Sequence, residues 1–330
     1  MATMSKFRII KLKNLSPVHF GIGKNHYDFS SSVLHSDTIS SALVSIRASR
    51  GKTEDVEQFL SSFTISSAFP FFKDSLYLPL PKGRLNVQIK GKKETEVRKR
   101  LKKLQYADLQ IWSNIIEGAC LEIEEEQISG SFLNSSSQSS TGSFLKKQLM
   151  ERVCVTNNSN EGTVPFFFEW TFFHKEAGLY VIVDASDDVY KELLSLMREL
   201  GENGIGSDRS VGGGHFDVSE DFIEISVPEN ANTQLLLSLY IPSKEELVNL
   251  NLNSSHYSFL LRGGYMAGSS VSEFQRLRKK SVYMFDEGSV FPTMCNLKGT
   301  IVDLTPIWND PKMHKVYRSG KPFTLPIIYR

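Results

Sequence analysis

The segment GIGSDRSVGGGHF, residues 204–216, sets five glycines within eleven positions and places an arginine and a histidine among them. Glycine at this density serves a backbone that adopts positive φ repeatedly, or one that lies against another group with no side chain between. Neighbouring unhindered amides beside a guanidinium can also cradle phosphate oxygens. Two nucleotide-binding readings fail on spacing. A dinucleotide fingerprint needs GxGxxG between a strand and a helix, but here Gly206 is followed next by Gly212, and the loop leaves a helix. A phosphate loop needs GxxxxGK[ST]. Gly206 to Gly212 is one residue too long, and no Lys-Ser or Lys-Thr follows. Two readings remain, a closely packed helix-to-strand connection and an anion cradle. Gly212, Gly213 and Gly214 beside Arg209 and His215 favour the second.

Little else in the chain suits catalysis. The seven histidines form no HxxxH pair or Cys/His cluster, and Cys120, Cys154 and Cys295 lie far apart. No metal site, cofactor or disulfide framework is expected, and free cysteines suit a reducing cytoplasm. Asp187 and Asp188 open a helix, where the dipole favours carboxylates. No GxSxG nucleophile elbow is present.

The elements that carry these residues follow from periodicity. FRIIKLK (7–13) alternates as a strand, and LHSDTISSALVSIRA spaces Ile39, Leu43 and Ile46 as a helix capped by Ser36 or Asp37. KGKKETEVRKRLKKL is a helix whose residues 90–103 hold eight Lys/Arg against two Glu. The serine-rich ISGSFLNSSSQSSTGS is expected to be a loop. PFFFEWTFFH and GLYVIVDAS are expected to pair as a hairpin. DDVYKELLSLMREL is a helix ended by Gly201. Strands dominate after the glycine segment. This order predicts an α+β chain of two ferredoxin-like (RRM-like) βαββαβ units, residues 1–203 and 204–330.

Composition agrees with a globular protein. Of 330 residues 40% are hydrophobic and 23% charged, and the formal net charge is +1. No uncharged run approaches the ~18 residues of a spanning helix, and the N-terminus carries no signal-peptide pattern. A soluble cytoplasmic protein is expected. A near-neutral chain that binds nucleic acid must do so through local patches.

HFG near the start, LHSDTISSAL, GIGSDRSVGGGHF, RGGY and EGSVF, in that order, resemble the RAMP superfamily. In particular they are similar to the 5′-handle-binding subunits of type III-A CRISPR (Csm) effector complexes. The resemblance runs from Phe7 to about Pro326. It implies a non-catalytic RNA-binding subunit of an antiviral ribonucleoprotein; the alternative it leaves open is a RAMP-type metal-independent endoribonuclease that matures guide RNA precursor, with His19 or His35 as general base on a 2′-hydroxyl. Such a subunit would hold the guide RNA handle in a cleft between two ferredoxin-like domains and meet target RNA only indirectly. It would bridge a large polymerase-like subunit to a backbone RAMP subunit, and no membrane would be involved. A thumb-like insertion is implied over about 106–163. The implied RNA-binding residues are His19 and Gly21; Ser36, Asp37 and Thr38; Gly204, Gly206, Arg209, Ser210, Gly212, Gly213 and Gly214; Arg262, Gly263, Gly264 and Tyr265; and Arg278 and Lys279. Ser36 serves equally as a helix cap. Tyr265 either stacks on a base or completes the core. Whether the basic segments 90–103 and 276–280 meet RNA or an acidic protein stays open.

Overall fold

The computed structural model describes residues 2–21, 27–92, 94–136, 144–154, 164–266, 268–293 and 295–329. Its centre is the first strand, β1 (Ala2–Lys13), whose inward residues alternate between two cores. Ile9 faces one core, while Ile10 and Leu12 face the other. A strand covered on both faces must be apolar almost continuously, as IIKL is.

Around β1 lie β2 (Phe69–Phe72), β3 (Ser75–Pro79), β6 (Ala177–Ala185) and β7 (Asp217–Pro228), in the order β3-β2-β6-β1-β7, each pair antiparallel. The β1–β7 pairing runs twelve residues, from Ala2↔Pro228 to Lys13↔Asp217. Helices α1 (Ser36–Ser49) and α4 (Asp187–Asn203) cover one face, burying Ile39, Leu43, Leu193, Met197 and Leu200. The other face takes α3 (Leu109–Ile116), with Trp112 fully buried, and the C-terminal strands Thr233–Leu236 and Thr324–Ile327. The basic helix α2 (Glu94–Leu101) packs Val97 and Leu101 against this second core. No helix among the described residues is long and apolar enough to cross a membrane.

The architecture is thus mixed α+β and rich in strands, with three departures from expectation. First, PFFFEWTFFH and GLYVIVDAS do not pair with each other. The first, β5 (Val164–Phe173), pairs along ten residues with β4 (Leu145–Cys154), and the second is β6 in the main sheet. Their burial explains the split: β6 is buried at seven consecutive residues, whereas β5 is buried only at Phe168, Trp170 and Thr171 among its described side chains. Second, residues 106–136 do not project. Tyr106–Asp108 extends the main sheet beside β3, and Phe132 and Leu133 add to it. The β4–β5 ribbon is a separate two-stranded sheet. Most of the serine-rich stretch, residues 137–143, lies outside the described residues, as do 155–163. Third, α4 continues past Gly201 to Asn203 and ends at Gly204, at φ +76°. Gly201 lies inside the helix because a Cβ there would come within 2.2 Å of the Phe216 carbonyl oxygen.

The glycine segment and β7 fall on the far side of the expected division at residue 204, yet β7 completes the sheet begun by β1.

Candidate nucleic-acid interface

The expected site residues fall into two clusters. The first is the glycine segment. Its fold is closed by its own amides: Ile205 N–H donates to Gly214 O at 2.9 Å, Gly213 N–H to Asp208 O at 3.1 Å, and Gly212 N–H to Arg209 O at 3.1 Å. Gly214 N–H donates to Pro17 O at 3.0 Å and Ser207 N–H to His19 O at 3.0 Å. Gly212, Gly213 and Gly214 were expected to offer three amides to a phosphate, and this is corrected: all three are engaged within the protein. Glycine is needed for close approach instead. A Cβ on Gly214 would lie 1.9 Å from Ile205 O, and one on Gly204 would lie 2.6 Å from Gly213 O. Gly206 is equally close to His19 O, and Gly213 packs on the Trp170 ring.

What this segment presents outward is the short 3-10 turn Arg209–Val211, exposed throughout. The N–H groups of Arg209 and Ser210 open that turn, which offers them no acceptor of its own. Arg209 makes no ion pair among the described residues. The neighbouring Asp208 is bound by Arg152 of the ribbon, whose guanidinium also lies 4.3 Å from the Phe168 ring. His19, expected at the RNA, is enclosed by the protein. It is 1% exposed, its Nδ1–H donates to Glu169 O at 2.8 Å, and its ring packs on Phe168. Gly21 beside it is exposed and paired with Ser30.

The second cluster joins the start of α1 to β8 (Phe259–Arg262) and its partner β9 (Val282–Phe285). Arg262 donates from Nε and Nη2 to the two Asp37 carboxylate oxygens, both at 2.9 Å, and from Nη2 to Thr38 Oγ1 at 2.8 Å. Arg318 binds the same carboxylate and donates to Gly263 O at 3.0 Å. Burial drives the Asp37 carboxyl up, but the two guanidiniums outweigh it and hold the group below its ordinary value. Asp37 is therefore a fully enclosed anchor. Ser36 is also buried, and its Oγ accepts from Leu239 N–H at 3.0 Å. The cap position of α1 belongs to His35, not to Ser36 or Asp37.

Tyr265 lies over the Arg278 guanidinium at 5.6 Å, and Lys279 N–H donates to Gly264 O. Burial, with Arg318 nearby, pushes the Lys279 ammonium down to about 8.

Sequence spacing missed a third group beside this cluster. His35 Nδ1 lies 2.9 Å from Glu287 Oε1, Ser67 Oγ donates to the same oxygen, and Asp286 Oδ2 accepts from Lys82 at 2.8 Å. The ligand-type atoms of His35, Asp286 and Glu287 lie within 4.8 Å of one another. The Lys82 ammonium and the Ser67 hydroxyl already answer these carboxylates, so the geometry is that of a hydrogen-bonded polar cluster. Burial lowers the His35 pKa, but the Glu287 charge outweighs it and the net shift is upward. Burial and the bond to Glu287 push Asp286 up to about 6. The one signal in the sequence was EGSVF, whose glutamate is Glu287.

His35, Arg262, Asp286 and Glu287 line an open groove of about 1540 Å³, together with residues of α2 and of the segment 79–89.

The chain was compared with known proteins. A family model described as the CRISPR Csm4 C-terminal domain matches residues 229–327. The CRISPR system Cms protein Csm4 of Methanocaldococcus jannaschii is 22% identical, over 97% of this chain and 97% of its own. Its namesake from Streptococcus thermophilus is 26% identical over 92% and 93%. Among solved structures, the fold is similar to a chain of a Csm3–Csm4 subcomplex of the type III-A CRISPR-Cas interference complex. There the TM-score is 0.63 at 17% identity, covering 98% of this chain and 100% of that one. A chain of a Csm1–Csm4 cassette in complex with pppApA matches with TM-score 0.63 at 21% identity, over 99% of both.

Proposed function

We propose that this chain, a Csm4 homologue of the RAMP superfamily, is the cytoplasmic, non-catalytic subunit that holds the 5′ handle of the guide RNA in a type III-A effector. We read β1, β2, β6 and β7, with α1 and α4, as one ferredoxin-like unit and the C-terminal strands as a second. The sheet order and the two helices on one face support the first assignment.

One observation carries the reading. A groove too large for an ordinary small-molecule pocket is walled by a polar cluster held in place from behind. Recognising a single strand requires bases splayed against fixed donors and acceptors. Arg262 is oriented by Asp37, and His35 and Glu287 orient each other, so their geometry is set before a base arrives. In this reading the chain docks on a polymerase-like subunit and a backbone RAMP subunit, as the names of the related complexes suggest. The burial of His19 supports a role without cleavage chemistry.

The test is a titration of the full chain with the repeat-derived handle and with a scrambled RNA of equal length. The handle is expected to bind more tightly, with that preference lost in Arg262→Ala. Equal affinity for both RNAs would refute the assignment.

A further inference from the structure

We propose that the α2 wall of the groove is a sequence-independent track for the phosphates of single-stranded RNA. The proposal deepens the reading above and rests on it. Six cationic side chains line the groove, Lys82, Arg84, Lys92, Arg98, Lys102 and Arg262, against two carboxylates, Asp286 and Glu287. The cations differ in what they already hold. Lys82 is paired with Asp286, Lys92 with Glu125 at 3.2 Å, and Arg262 with Asp37. Arg98 and Lys102 make no ion pair among the described residues, and both are exposed.

Their place on the helix is not that of an ordinary solvated face. Val97 and Leu101 sit beside them and line the same groove, so this part of α2 turns both apolar and cationic groups inward. Residues four apart on a helix are neighbours about 6 Å apart along the axis. That step is comparable with the distance between adjacent phosphates of an extended strand. Val87, Ile89, Val97 and Leu104 are buried in the core beneath the groove and hold α2 in place, while the rim offers charge. This is the arrangement of a groove that follows a nucleic-acid backbone without reading sequence. The two walls divide the labour: fixed polar groups on one side for base identity, spare cations on the other for position.

The test compares the full-length chain with the double variant Arg98→Ala/Lys102→Ala. The probes are the handle RNA and an oligouridylate of equal length, each titrated over a range of salt. Affinity for a single strand falls with salt by roughly 0.7 log units per log unit for each neutralised phosphate. The variant is expected to lower that slope by about 1.4 for both RNAs and to weaken both by the same factor. Arg98→Lys/Lys102→Arg should restore the slope, since charge and not shape is at issue. An unchanged slope for both RNAs overturns the track, even if the handle preference survives. So does a variant that binds RNA normally but no longer associates with a protein subunit, which would make the wall a docking face for an acidic protein. If the slope falls but neither form prefers the handle, the track stands and the handle assignment fails.

Discussion

Arg262 and Asp37, 225 residues apart in sequence, meet through two parallel hydrogen bonds of 2.9 Å and tie the first turn of α1 to β8. A guanidinium matches a carboxylate in this forked geometry, and an ammonium cannot reproduce it. The Asp37 side chain is fully enclosed, so it depends on Arg262 and Arg318 for its charge to be tolerated.

Removing one partner leaves a buried charge short of compensation. Asp37→Asn is expected to destabilise the chain by about 3–5 kcal/mol, because two guanidiniums then face no anion. Arg262→Lys should fall between wild type and Arg262→Ala. Chemical denaturation of the three variants measures this. If Asp37→Asn is as stable as wild type, the clamp does not hold the two parts of the chain together.

Two titrations act on stability with opposite sign. The Glu287 charge raises the folded pKa of His35 above its ordinary 6.5, so its contribution is complete below that value and is lost as pH rises through the folded pKa. His35→Gln should remove this decline from a plot of unfolding temperature against pH. Lys279 is depressed to about 8 from 10.5. Between those values the unfolded chain binds more protons, so stability rises with pH there. Lys279→Met should be more stable than wild type at neutral pH and should lack the rise. A wild-type profile that falls steadily from pH 8 to 10.5, unchanged in Lys279→Met, would contradict this account.

The glycine segment predicts a ranked pair of substitutions. At Gly212, φ is +90° but a Cβ would meet nothing within 4 Å. Gly212→Ala should therefore cost only the left-handed penalty, about 1–2 kcal/mol. At Gly214 the same penalty is joined by a clash with the Ile205 carbonyl, and Gly214→Ala should cost roughly 2–5 kcal/mol. Thermal unfolding ranks them, and equal costs would mean that the segment does not fold back on itself as described.

The sequence made the strands and helices legible wherever one face was buried. β1, α1, α2 and α4 were all visible as periodic patterns. Pairing was less visible. β5 is followed after three residues by β6, the signature of a hairpin, but only burial on both faces of β6 decides that it enters the main sheet and leaves β5 to β4. The same limit governed the site. RGGY and HSDT were visible as motifs, yet nothing local says that Arg262 will be turned onto Asp37, since that bond closes a loop of more than two hundred residues. Arg318 carries no local pattern at all, and Glu287 was visible only as the first residue of EGSVF. The glycine density left two readings open, and the anion cradle was the one favoured. The structure shows close approach by the loop's own backbone, with the amides of Gly212, Gly213 and Gly214 each bonded to a carbonyl.

The twelve-residue pairing of β1 with β7 has a consequence for how the chain comes into being. At ~5–20 residues per second, about ten to forty seconds separate synthesis of Lys13 from that of Pro228. Until β7 is made, β1 has a partner strand only on its β6 side, so a nascent chain stopped before residue 217 carries an open sheet edge prone to sticking. The opening residues of this protein are therefore among the last to reach their final surroundings.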